Sequence, residues 1–231
     1  MPLADDITSL RDLVLADLNS AHDYYTDTKI AWELVRRFIA AGQTLSIRNL
    51  TTGTSTTHVE LAAKSRGYVA EQLAEATFQQ FIAIFENFFF DLVRLWLTAY
   101  PKNLSGRKVD FKEVLDAADK DAITARVVGR EVNEIQYDRP TGWFEYLEEK
   151  AKLGCPTQAE VASVAEAKAS RDVLVHNRGI ANKTYESKAG ALARYRDGQR
   201  IEIPENYHRE IWELLRKVCT DLSHAAIAKI S

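Results

Sequence analysis

Arg171 and His176 stand with four residues between them in the run Ala169-Ser170-Arg171-Asp172-Val173-Leu174-Val175-His176-Asn177-Arg178-Gly179-Ile180-Ala181-Asn182. A histidine moves protons near neutral pH. A guanidinium fork holds the charge that builds on phosphoryl oxygens. One of each at the mouth of a helix is what cleavage of a phosphodiester without a metal requires. The spacing equally suits a histidine that only caps the last carbonyls of its helix. Asn177 and Gly179 are C-capping types, and Gly179 suits the left-handed conformation that ends a helix. His176 is therefore expected in or near the last turn. On a continuous helix, positions five apart point about 140° from each other, so Arg171 and His176 would not share a face. With the helix ending near His176, the two are expected within about one side-chain length of each other, at an end open to solvent. Asp172 and His176, four apart, would, which places Asp172 to orient the ring.

The elements that must position these residues read as helices. Leu10, Leu13, Val14, Leu18, Ala21, Tyr24, Tyr25, Ile30, Leu34, Val35 and Phe38 follow a helical period over about 8–41, with Gly42 as the stop. The stretch 49–57, rich in Thr, reads as a flexible connection. It lacks the Gly-Lys-Ser/Thr ending of a nucleotide-binding loop. A second long helix is expected over 59–100, ended by Pro101. Its second half is apolar on nearly every side, from Phe78 through Phe85, Phe88, Phe89 and Phe90 to Leu97. Such a helix is central or shared with a second subunit. At helical spacing these aromatics read as core rather than as a platform for bases.

Shorter helices are expected over 111–118, 122–137 and 141–153. After Gly154-Cys155-Pro156, Thr157 with Glu160 three residues on forms a capping box for the helix that carries Arg171 and His176. Residues 200–204 alternate and suggest at most a short extended strand. Pro204 opens a last helix with Tyr207, Ile211, Leu214, Leu215, Val218, Leu222 and Ile227 on one face. The expected fold class is all-α: a helical bundle with two long antiparallel helices and several shorter ones. The whole chain, 1–231, reads as one helical domain. Residues 1–58 supply an N-terminal helix and a mobile Thr-rich loop, and 59–231 the core with the Arg-x4-His element.

Composition sets further bounds. The chain has 231 residues, 46% of them hydrophobic and 27% charged, and a net charge of −3. No run approaches the roughly 18 apolar residues that span a bilayer, so no membrane partner is expected. The first residues carry Asp5 and Asp6 and lack the basic-then-apolar layout of a secretory signal. Cys155 and Cys219 are too far apart for a paired metal motif, and Cys219 lies in an apolar helical pattern, which suits a reducing cytoplasm. Residues 171–200 hold seven Lys and Arg against three Asp and Glu, a local +4 that leaves −7 elsewhere. A basic patch beside the Arg/His pair suits a phosphate-bearing ligand.

Arg171-Asp172-x-x-Val175-His176-Asn177-x-Gly179-x-x-Asn182 resembles the signature of HEPN-domain proteins, especially the RiboL-PSP and related prokaryotic branches. That signature is an Arg, often followed by a polar residue, then a short spacer and a His. Upstream, the segment from Phe85 to Arg94 is similar to the family's earlier core helix. The Tyr100-Pro101 stop, Leu153-Gly154-Cys155-Pro156 and the closing helix from about 205 fall in the same order. The resemblance covers roughly 60–230. It implies that Arg171 and His176 are the catalytic pair of a metal-independent ribonuclease needing no cofactor, with Asp172 and Asn177 in support. Arg178, Asn182 and Lys183 are the expected RNA contacts. The implied partners are RNA, a second copy facing a shared cleft, and an antitoxin protein. The implied setting is a toxin, phage-defence or RNA-processing role. Some such toxins carry a Tyr two residues after the His, as the target of a nucleotidyltransferase antitoxin. Arg178 holds that place here, so this form of regulation does not carry over. Two other functions remain open: a nucleotide- or RNA-binding module without catalysis, and a helical protein-interaction domain.

Overall fold

Helical periodicity in the first forty residues produces α1 (Pro2–Ala40), which begins well ahead of residue 8. The computed structural model describes residues 2–230. Ile7, Val14, Leu18, Ala21 and Tyr25 form the buried stripe of α1. Beyond Tyr25 the stripe continues in sequence but is uncovered, and Ile30, Leu34 and Phe38 are each more than half exposed. The Thr-rich stretch, expected as a loose connection, is a small antiparallel hairpin of β1 (Ile47–Arg48) and β2 (Ser55–Thr56). The Asn49 side-chain oxygen accepts from the Thr51 and Thr52 amides at 2.9 and 3.1 Å, the local turn chemistry typical of Asn.

The second long helix runs from 58 to 99 as α2 (His58–Gly67), a π-helical turn (Tyr68–Leu73) and α3 (Ala74–Ala99). A capping box of Thr57 and Glu60 starts it. Trp32 meets Tyr68, whereas Tyr25 and Phe81 both pack on His208, so α1 and α3 run antiparallel. A turn over Pro101–Leu104 leads to α4 (Phe111–Leu115), α5 (Lys120–Gln136) and α6 (Pro140–Ala151). Then come α7 (Gln158–His176), α8 (Lys183–Ala189) and α9 (Glu205–Ala228). Arg11 meets His224 while Lys29 pairs with Glu205, so α9 is antiparallel to α1.

α3 is the central element. Phe78, Phe81, Phe85, Phe88, Phe89, Leu92 and Leu97 are essentially without exposure, packed by α1, α5, α7 and α9. Each such side chain stabilises the fold by roughly 1.5–3 kcal/mol relative to exposure. The greasy helix is thus central within one chain, where most of its apolar surface is buried. Residues 200–204 form no strand. Arg200 makes a single bridge with Ile180, and Pro204 leads directly into α9. No described helix is long and apolar enough to cross a membrane.

Candidate functional site: the end of α7

α7 starts on the expected capping box. The Thr157 hydroxyl accepts from the Glu160 amide, and the Glu160 carboxylate accepts from the Thr157 amide at 2.8 Å. The helix is continuous to His176. It ends where Asn177 and Gly179 both donate their amides to the Val173 carbonyl, at 2.9 and 3.1 Å. Gly179 takes the left-handed conformation, φ +76°, as its type suggested. Arg178 also takes it, φ +54°, a conformation that costs a non-glycine residue about 1 kcal/mol. Residues 179–181 then pair with 198–201. Ile201 donates to the Gly179 carbonyl at 2.7 Å, and Ala181 to that of Gln199 at 2.8 Å.

This exit is anchored by a buried carboxylate. Glu166 is 3% exposed. Its Oε1 accepts from Ser170 Oγ at 2.7 Å, Tyr185 Oη at 2.8 Å and Arg194 Nε at 3.1 Å, and its Oε2 from Tyr207 Oη. The Arg194 guanidinium lies over the Tyr207 ring, 3.4 Å from its centroid. Burial first, and the Glu166 charge with it, pushes the Tyr185 phenol up to about 12 and the Tyr207 phenol well up. One side chain on α7 thereby fixes α8, the following loop and the start of α9.

Around Arg171 lies a second charged cluster, half open to solvent. Lys168 pairs with Glu86 of α3 at 2.9 Å and with Asp172 at 3.1 Å. Arg171 reaches Glu86 at 3.6 Å and Asp172 at 3.2 Å, and its Nε is buried without a partner. Lys188 of α8 pairs with the other Asp172 oxygen at 3.3 Å. Burial works to raise the Asp172 carboxyl. The charges of Lys168, Lys188 and Arg171 outweigh it and hold the group below the usual carboxylate range.

His176 is exposed and lines a cleft of about 220 Å³ together with Asp172, Asn177, Asn182, Thr184 and Lys188. Arg171 does not line it. Among the described residues no hydrogen bond or ion pair joins Arg171 to His176, and the expected close approach of the two within one chain is not supported: α7 runs unbroken through both, which points positions five apart about 140° from each other. Asp172 shares the cleft with His176, but its bonds go to Lys168, Arg171 and Lys188. Asn177 donates its side-chain amide to the Ile180 carbonyl. Asn182 caps α8 by accepting from the Tyr185 amide at 2.9 Å. Arg178 and Lys183 are exposed beside the cleft without lining it. A larger cleft of about 580 Å³ between α6 and α7 is lined by Glu145, Glu148 and Glu149, a poor match for a phosphate. No three His, Cys, Asp or Glu side chains converge as metal ligands would among the described residues.

Glu166, Lys168, Thr184 and Lys188 were not singled out from sequence as site residues. For Lys168 a signal existed, since it sits four residues before Asp172 on the same helix face. For α8 the signal was Asn182 as an N-cap. Comparison with protein-family models, with curated proteins and with solved structures finds no match.

Proposed function

We propose that this chain is a metal-independent RNA endonuclease of HEPN type in which His176 moves the proton of the chemical step. The observation that carries the reading is the placement of His176: solvent-open at the end of an otherwise anchored helix, in a cleft with Lys188, Asn177 and Asn182. In this reaction the ribose 2′-oxygen attacks phosphorus, its proton leaves, and the bond to the 5′-oxygen breaks as that oxygen gains a proton. The products are a 2′,3′-cyclic phosphate and a 5′-hydroxyl. His176 would either accept the first proton or deliver the second. Charge on the phosphoryl oxygens would be met by nearby cations, help whose loss typically costs about a hundredfold or more in rate.

Within one chain Arg171 and His176 diverge, so the Arg/His pair would be completed across a two-fold axis that brings two α7 ends together. Sedimentation at micromolar concentration tests this: a homodimer is expected, and a fully active monomer removes the claim. The activity would suit a toxin, phage-defence or RNA-processing role in the cytoplasm, with an antitoxin as regulator. Incubating the protein with total RNA in EDTA, beside His176→Ala, tests the function: cleavage by the first and none by the second is expected.

A second reading is RNA binding without cleavage. It is favoured by Arg171 being held by Glu86 and Asp172 rather than turned to the cleft. Binding of RNA with no product in the same incubation would select it.

A further inference from the structure

The charged cluster on α7 and α8 is unbalanced by one. Lys168, Arg171 and Lys188 supply three positive charges, and Glu86 and Asp172 two negative ones. The cations are not equally engaged. Lys168 and Arg171 each touch both carboxylates and are 16% and 22% exposed, whereas Lys188 touches Asp172 alone among the described residues and is 39% exposed. The surplus charge therefore sits at the Lys188 end, and that end is the one lining the cleft with His176 and Thr184.

The Lys188 ammonium has three N–H donors. One is directed at Asp172 Oδ2 at 3.3 Å, which leaves two for an incoming ligand. The side chain is also well placed. α8 is fixed at its start by the Asn182 cap and in its first turn by Tyr185, which is fully buried against Glu166. Asp172, with Arg171 on one oxygen, Lys188 on the other and Lys168 within reach of both, is surrounded by cations much as a phosphodiester would be.

We propose that Lys188 is a phosphate-binding residue of the His176 cleft, and that Asp172 holds its ammonium over that cleft. The ligand class is a singly charged phosphodiester of single-stranded RNA, whose charge matches the surplus of one. This inference rests on the RNA reading above and adds to it a cation that the Arg-x4-His element does not contain.

The test is binding of a fluorescent single-stranded RNA with 2′-O-methyl riboses, which cannot be cut by 2′-oxygen attack, across a range of salt concentrations. Lys188→Met is expected to weaken binding about tenfold, as for loss of a charge-assisted hydrogen bond. The slope of log K against log salt should shrink by about 0.7, the value for one phosphate contact on a single strand. Lys188→Arg should bind within about twofold of wild type. Lys120→Met, the same charge loss at an exposed position on α5, should change neither quantity. Lys188→Gln provides a second neutral variant, with thermal unfolding as the check that each protein is folded. Wild-type affinity and slope in folded Lys188→Met and Lys188→Gln overturn the inference. If the wild type still cuts unmodified RNA in EDTA, the nuclease reading survives that result. A wild-type chain that binds no RNA overturns both.

Discussion

His208 makes the stability of this fold depend on pH, with a magnitude that follows from its surroundings. The ring is fully buried where α1, α3 and α9 meet, against Tyr25 and Phe81 and near His22. Its Nε2 lies 2.8 Å from Thr77 Oγ1. The Thr77 hydroxyl donates to the Leu73 carbonyl at 2.8 Å, so toward His208 it accepts, and the ring carries its proton on Nε2. Nδ1 is then a buried lone pair with no partner. A second proton there would meet no acceptor. Burial, with the neighbouring His22 in support and Glu205 opposed, depresses the imidazole to about 4 from 6.5. Between those values the unfolded chain binds the proton and the folded chain does not, so stability falls as pH falls through that window. At about 1.4 kcal/mol per unit, the full loss is roughly 3 kcal/mol, of which about 2 arises between pH 7 and pH 5. His208→Gln keeps a donor for Thr77 and cannot titrate. Urea unfolding at pH 7, 6 and 5 should show a fall for wild type that is about 2 kcal/mol steeper than for the variant. The remaining slope belongs to His22, itself lowered mainly by burial, and to other groups. Equal slopes in the two proteins would refute the assignment of this titration to His208.

Glu166→Gln leaves the Arg194 charge without its carboxylate and should cost about 3 kcal/mol in urea unfolding; unchanged stability would contradict the anchoring role. Arg178→Gly relaxes a left-handed residue, so its unfolding temperature should match or exceed that of wild type while RNA affinity falls. A marked loss of stability would show that the Arg178 side chain, not its backbone, matters to the fold. Asp172→Asn removes the carboxylate that holds Lys188 over the cleft and should weaken RNA binding. Tighter binding at low salt would mean that the Asp172 charge chiefly repels the phosphate and that Lys188 needs no such support.

The local signals were the ones the sequence made plain. Thr157 with Glu160, Pro101 as a stop, and Gly179 beyond α7 each act within one helical turn, and each appears where its chemistry demands. The long apolar run of α3 also declared itself, because only a central position buries so much of one helix. What stayed hidden depends on contacts distant in sequence. Glu166 in an Ala- and Val-rich helix reads like a solvated residue. Its donors Tyr185, Arg194 and Tyr207 lie 19, 28 and 41 residues away. α8 has only Tyr185 and Ala189 buried, too few to set a period. The hairpin at 47–56 joins backbone pairing to the turn bonds of one Asn side chain, inside a run that otherwise reads as a loop. At the candidate site, type and spacing singled out His176 and Asp172, and the family resemblance added Asn177 and Asn182; all four line the cleft, whereas Arg171, Arg178 and Lys183, singled out with them, do not. Lys188 awaited α8.

The most direct test of metal-free RNA cleavage at His176 is the chemistry of the new ends. A defined single-stranded RNA would be incubated with a molar excess of the protein in EDTA and its fragments weighed by mass spectrometry. The expected result is fragments ending in a 2′,3′-cyclic phosphate paired with 5′-hydroxyl ends, at a rate that EDTA leaves unchanged. His176→Ala should yield none while still binding the RNA. Cleavage by folded His176→Ala at the wild-type rate, or cleavage lost in EDTA and restored by magnesium, would contradict the proposal.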